Sequence, residues 1–150
     1  MPSQLIAVLN GPNLNLLGAR ERDVYGAVTL AEIEERCRIK ASSLGFEIDF
    51  RQTNSESELV NWIQEFRQAA GLVINAAAYT HTSIAIHDAL KAIEAPCIEV
   101  HLSNIAAREH FRHRSFVSPV ASGTIFGLGP AGYELAVEAI AGIVKSQNER

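Results

Sequence analysis

The chain has 150 residues, of which 47% are hydrophobic and 20% charged, and a formal net charge of -4. That length fits one domain, residues 1–150, which buries roughly 70% of the surface its unfolded form exposes, and leaves no room for a second core. A mildly acidic balance without a Lys/Arg stripe gives no drive toward nucleic acid or a membrane surface, and the N-terminal apolar run is too short for a signal peptide or span, so a soluble cytoplasmic protein is expected.

The first predicted strand, Leu5 to Leu9, runs straight into a polar, turn-rich stretch from Asn10 to Gly26. Gly11-Pro12 and Gly18 forbid a continuous helix there, and the Asn side chains supply donors and acceptors that a plain connection does not need. The stretch reads as a site loop that offers Asn13 near the strand end and then Arg20 and Tyr25. A guanidinium near a phenol favours the phenolate and lowers its pKa from about 10, which makes Arg20 and Tyr25 a candidate activated base. The plainer alternative is a surface loop anchored by a packed tyrosine.

Thr29 to Glu32 has the form of a capping box, and Leu30, Ile33, Cys37, Ala41 and Leu44 then recur at helical spacing until Gly45. Phe46 to Arg51 alternates apolar and charged residues as a half-exposed edge strand does. A second capping box, Ser55 to Glu58, opens a helix with Leu59, Ile63, Phe66 and Ala70 on one face, closed by Gly71. Leu72 to Asn75 is a short buried strand, followed by a loop and a helix from about Thr82 to Ile93. Cys97 to His101 is the fourth strand; then come a short helix from about Ile105 to Phe111, a last strand Gly123 to Phe126, and a last helix from Tyr133 to about Val144. Cys37 and Cys97 lack CxxC spacing and the density of a secreted scaffold, and both read as small buried hydrophobes.

Strands separated by helices of this length imply right-handed crossovers and a parallel sheet covered on both faces, an α/β three-layer sandwich. Five strands suggest the flavodoxin-like order 2-1-3-4-5, in which ligands bind beyond the carboxyl ends of the strands where the order reverses. The unusual residues cluster there: after strand one, after strand three (Asn75 to His81) and after strand four (His101 to Asn104). Glu99 and His101 lie two apart on one strand and share a face, so the carboxylate can fix the imidazole tautomer and favour a general acid; a structural histidine is the alternative. His81 and Asp88 are seven apart, two helical turns. Arg108 and Arg112 at i, i+4 suit a clamp for a carboxylate or hydroxyls, against the default of a solvated basic face. His81, Glu99 and His101 have no strong metal spacing, so no metal is expected. Gly127 to Gly132 matches GxGxxG, but it follows the last strand with no acidic strand end after it, and reads as a turn into the final helix near Pro130. A non-catalytic nucleotide-binding module remains the alternative function.

Three stretches, NGPNLNLLGARERDVYG, NAAAYTHTSIAIHDAL and EVHLSNIAAREHFRHRSFVSPVASGTIFGLGPAGY, resemble in order the signatures of type II 3-dehydroquinate dehydratases, over essentially the whole chain. The resemblance implies dehydration of 3-dehydroquinate to 3-dehydroshikimate through an enolate, in the shikimate route or in quinate breakdown, with a flavodoxin-like fold and no cofactor. It gives Tyr25, activated by Arg20, the C2 proton. Asn13 holds a water that stabilises the enolate, and His101, oriented by Glu99, protonates the departing C1 hydroxyl. Asn75, His81, Leu102, Ser103 and Arg112 bind substrate, with the Leu102 and Ser103 backbone N–H groups on the carboxylate. Asp88 comes from a neighbouring subunit, since the family assembles as trimers stacked into dodecamers. The chain departs from the usual pattern at Arg22, Ala76, Ala106 and His110, none of them a catalytic position. A lysine Schiff-base route lacks its nucleophile, since Lys40, Lys91 and Lys145 fall on or beside predicted helices.

Overall fold

The computed structural model describes residues 3–19 and 27–149, so Arg20, Arg22 and Tyr25 lie outside the described residues. Five strands, β1 (Leu5–Asn10), β2 (Glu47–Gln52), β3 (Gly71–Asn75), β4 (Cys97–His101) and β5 (Gly123–Phe126), form one sheet in the order β2-β1-β3-β4-β5. Every neighbouring pair is parallel. The α-helices are α1 (Leu30–Ser43), α2 (Glu56–Glu65), α3 (Ile84–Lys91) and α4 (Ala131–Asn148). The expected flavodoxin-like topology is therefore the one observed.

Alternation along the central strands splits the core into two layers. Ile6 and Val8 of β1 join Val73, Val100 and Ile98 against Ile33, Cys37, Val137 and Ile140 of α1 and α4. Ala7 and Leu9 point the other way, with Leu72 and Ile74, onto Leu59, Ile63, Ile86 and Leu90 of α2 and α3. Because both faces are covered, β1 and β3 read as nearly unbroken apolar runs, as buried parallel strands do, while β4 (CIEVH) interrupts its run with Glu99 and His101. The helix starts are local: Thr29 accepts the Glu32 N–H at 3.2 Å and Ser55 the Glu58 N–H at 3.2 Å. At the first residue of β3 a side chain has no room, since a Cβ on Gly71 would lie 2.5 Å from the Ile140 side chain of α4.

Four elements differ from the sequence expectation. The helix α2, expected to carry Ala70 and to close at Gly71, ends at Glu65 with Phe66 as its C-cap, and Gly71 is already the first residue of β3. The helix expected from Thr82 begins at Ile84, because Ser83 stands in extended backbone and caps it by accepting the Ile86 N–H at 2.9 Å; a 3-10 turn, Ala77–His81, precedes it. The short helix expected over Ile105 to Phe111 is instead two 3-10 turns, Ile105–Ala107 and His110–Arg112, separated by extended backbone at Arg108 (φ -98°, ψ -169°). The last helix starts two residues earlier than expected, directly behind Pro130, whose ring holds φ at -59°.

The strand order reverses between β1 and β3, which leave their common carboxyl end side by side, with Asn10 in register with Asn75. The crevice beyond that end is where a parallel sheet of this order places a ligand.

Candidate active site

Asn13, Asn75, His81, His101, Leu102, Ser103 and Arg112 line one cleft at the carboxyl ends of β1, β3 and β4, together with Pro12, Leu14, Ala77, Ile105 and Arg108. Eight of the residues proposed from sequence, Arg108 included, thus converge, and Glu99 lies directly behind His101. Asp88 does not join them: it is exposed on α3, away from the cleft of its own chain. The Arg108 and Arg112 pairing survives in a different form. The two are not on one helix at i, i+4, but the two 3-10 turns bring both to the cleft. Arg112 is steadied by donating to Glu109 at 2.8 Å and lying 5.1 Å over the Phe111 ring.

Asn13 sits at the mouth of β1 in the left-handed region, φ 70°, where Asn is tolerated better than most residues. Its backbone N–H donates to Asn54 Oδ1 at 3.0 Å, and the same oxygen accepts from Gln52 Nε2 at 3.2 Å. The end of β2 therefore holds the Asn13 backbone, while its carboxamide makes no capping bond and lines the cleft.

His101 ends β4 almost fully buried, and its Nε2 lies 2.6 Å from Glu99 Oε2. A carboxylate only accepts, so Nε2 carries the hydrogen and Nδ1 is the nitrogen left for a reacting group. Glu99 is completely buried and receives three further donors: Ser115 at 2.9 Å on Oε2, Thr124 at 3.0 Å on Oε1, and Ser118, also on Oε1. The Ser115 hydroxyl accepts from the Val117 and Ser118 N–H groups, so its own hydrogen has to go to Glu99. Burial pushes the Glu99 carboxyl up, and the hydrogen bonds from His101, Ser118 and Ser115 outweigh it and hold the group below the ordinary value near 4.5. The hydroxyl cradle keeps Glu99 anionic beside the imidazole. Sequence reading missed it, because three Ser/Thr residues 16, 19 and 25 positions downstream carry no local signal.

His81 faces His101 with ring centroids 6.2 Å apart and planes inclined by 21°. Its Nδ1 donates to the Arg114 carbonyl at 2.7 Å. Burial lowers its pKa, and the His101 and Arg112 charges act in the same direction, so the neutral ring with Nε2 as acceptor is favoured. Among the described residues no three His, Cys, Asp or Glu side chains converge as a metal site requires.

The Gly127 to Gly132 turn is used internally. Gly127 and Gly129 take positive φ, the Gly129 N–H donates to the Leu102 carbonyl at 3.0 Å, and the Gly132 and Tyr133 N–H groups donate to Gly129 and Pro130. Backbone donors committed in this way do not cradle phosphate, which removes the main support for a nucleotide-binding module.

The chain matches the family model described as dehydroquinase class II over residues 4–141. It is 60% identical over 138 residues to a 3-dehydroquinate dehydratase of Mesorhizobium japonicum, covering 91% of this chain and 96% of that protein. It is 55% identical over 142 residues to 3-dehydroquinate dehydratase 1 of Agrobacterium fabrum, covering 94% and 98%. Among solved structures, the type II dehydroquinase of Propionibacterium acnes superposes with a TM-score of 0.89 at 49% identity, covering 94% of this chain and 98% of that one. A match running from the first strand into the last helix, shared with proteins whose lengths it almost completely covers, makes this chain a member of the class II dehydroquinase family.

Proposed function

We propose that this protein dehydrates 3-dehydroquinate to 3-dehydroshikimate by anti elimination through an enolate, using tyrosinate as base, histidine as acid and no cofactor. The observation that carries the reading is the buried Glu99–His101 pair at the floor of a cleft that also holds Arg108 and Arg112. It combines a proton donor with a cationic rim suited to a hydroxylated carboxylate. Tyr25, activated by Arg20, takes the C2 proton, and the electron pair moves onto the C3 carbonyl oxygen. A water held by the Asn13 carboxamide stabilises that oxygen. The pair then returns to form the C1–C2 double bond as the C1–O bond breaks, and His101 Nδ1 gives its proton to the departing hydroxyl, which leaves as water.

The tyrosine inventory supports Tyr25 as base. The chain has three tyrosines. Tyr79 donates its hydroxyl to the Asn54 carbonyl at 2.8 Å, and Tyr133 is fully buried, with its phenol pushed well above the ordinary range by desolvation. Neither suits the role of a phenolate in the cleft. Asn75, His81, Arg112 and the Leu102 and Ser103 backbone hold the substrate hydroxyls and carboxylate. Asp88, exposed on α3, serves a neighbouring subunit's cleft in a trimer, four of which stack as a dodecamer. The enzyme works in the cytoplasm; among the described residues no helix is long and apolar enough to cross a membrane.

The test is ultraviolet absorbance of the conjugated product on adding 3-dehydroquinate to purified protein, with and without borohydride pretreatment. Turnover that survives borohydride is expected, with Tyr25→Phe lowering kcat by roughly a hundredfold or more. Borohydride inactivation would refute the enolate route, and near-normal kcat in Tyr25→Phe would refute the base.

A further inference from the structure

Behind the cleft, a polar chain crosses the core between the ends of β1 and β3. Asn10, Asn75 and Tyr133 are all buried, with exposures of 0%, 3% and 0%. Asn10 Nδ2 donates to the Arg51 carbonyl at 3.0 Å, and the Tyr133 hydroxyl donates to Asn10 Oδ1 at 2.7 Å. Asn75 Nδ2 donates to the Tyr133 oxygen at 2.9 Å, and Asn75 Oδ1 accepts the Ala77 N–H at 3.1 Å.

The direction of this chain is dictated at both ends. The Arg51 carbonyl can only accept, so Asn10 turns its NH2 to β2 and its oxygen to Tyr133. The Ala77 N–H can only donate, so Asn75 turns its oxygen to Ala77 and its NH2 to Tyr133. The group between must accept from one amide and donate to the other while filling the space of an aromatic ring. A neutral phenol does both. Burial keeps it neutral by pushing its ionisation upward, and a phenolate would have no hydrogen for Asn10. Ala77, held by the same carboxamide, lines the cleft at φ 54°, a backbone conformation that alanine rarely adopts without an external hold.

We propose that Tyr133 is a positioning residue for substrate: its hydroxyl locks the Asn75 carboxamide in one orientation, so that the second Nδ2 hydrogen and the free Oδ1 lone pair meet a substrate hydroxyl in a fixed arrangement, with Ala77 held beside them. This rests on the reading that the cleft takes 3-dehydroquinate. Tyr133 touches no reacting atom and acts only through Asn75.

The experiment is a double-variant cycle on the purified oligomer. Tyr133→Phe keeps the ring and removes the hydroxyl. KM for 3-dehydroquinate is expected to rise about tenfold with kcat within about threefold, the pattern of lost binding rather than lost chemistry. Asn75→Ala should raise KM at least as much, and the double variant should be no worse than Asn75→Ala alone, because the hydroxyl has nothing left to position. An unchanged KM in Tyr133→Phe, a loss confined to kcat, or additive KM effects would overturn the proposal. A variant that fails to fold leaves the wild type to decide: one Asn75 side-chain amide proton should be protected from solvent exchange in the ligand-free protein by nuclear magnetic resonance, and exchange of both at the free-amide rate would overturn it. Absence of turnover in the wild type would sink the functional reading alone, since the exchange measurement needs no substrate.

Discussion

Replacing Glu99 with Gln separates the charge of the Glu99–His101 pair from its geometry. Oε2 receives His101 Nε2 and a Ser115 hydroxyl whose hydrogen has no other outlet, so the Gln carbonyl is forced to that side. The Gln NH2 then falls where Ser118 and Thr124 stand, and hydroxyls can turn from donating to accepting. The imidazole keeps its tautomer and loses only the anion beside it. A charge-assisted hydrogen bond is worth about 1–1.5 kcal/mol more than a neutral one, so keeping the bond and removing the charge disfavours the imidazolium by a factor of roughly 5 to 12 at about 1.4 kcal/mol per decade. We expect kcat to fall by that factor, read from product absorbance. Folding stability should change by less than about 1 kcal/mol, since an uncharged amide also escapes the desolvation of a buried anion. The pH dependence has a definite sign. With the Glu99 carboxyl held below its ordinary value near 4.5, the unfolded chain binds the proton first as pH falls. The Glu99 contribution is present above about pH 4.5 and is lost as pH drops through the folded value. Glu99→Gln should flatten that part of the acid limb of Tm against pH. A kcat within twofold of wild type would refute the role of the charge, and a collapsed fold would refute the rotating-hydroxyl argument.

Asn54→Ala removes the acceptor that holds the Asn13 N–H at 3.0 Å, and should lower kcat about tenfold with a smaller change in KM; unchanged kinetics would show that the end of β2 does not position Asn13. Gly11→Ala would put a Cβ 2.4 Å from the Ala76 carbonyl oxygen, a backbone atom that cannot step aside, so thermal denaturation should show a loss of about 2 kcal/mol or more. Both cysteines are buried, with the Cys37 thiol pushed up to about 12 by burial and Cys97 raised by the same cause. A neutral disulfide reagent at pH 8 should therefore label neither in the native protein and both after denaturation; stoichiometric native labelling within minutes would contradict the buried placement.

Local information was sufficient for much of this protein. Strand and helix identity, both capping boxes and the parallel order follow from periodicity and crossover rules that act over a few residues or over whole elements. The Glu99 and His101 pair was legible because side chains two apart on a strand must share a face. The reading slipped where local backbone departed from the periodicity: Ser83 caps α3 two residues late through its side chain, α2 ends short of Ala70, and extended backbone at Arg108 splits an expected helix into two turns that still deliver both arginines to the cleft. What only the tertiary structure decided is how polar groups far apart in the chain satisfy one another inside the core. Tyr133 bonds to residues 123 and 58 positions away, and the Glu99 cradle is assembled from three separate downstream positions. A buried donor must find an acceptor wherever packing brings one, and that constraint leaves no periodicity in the sequence.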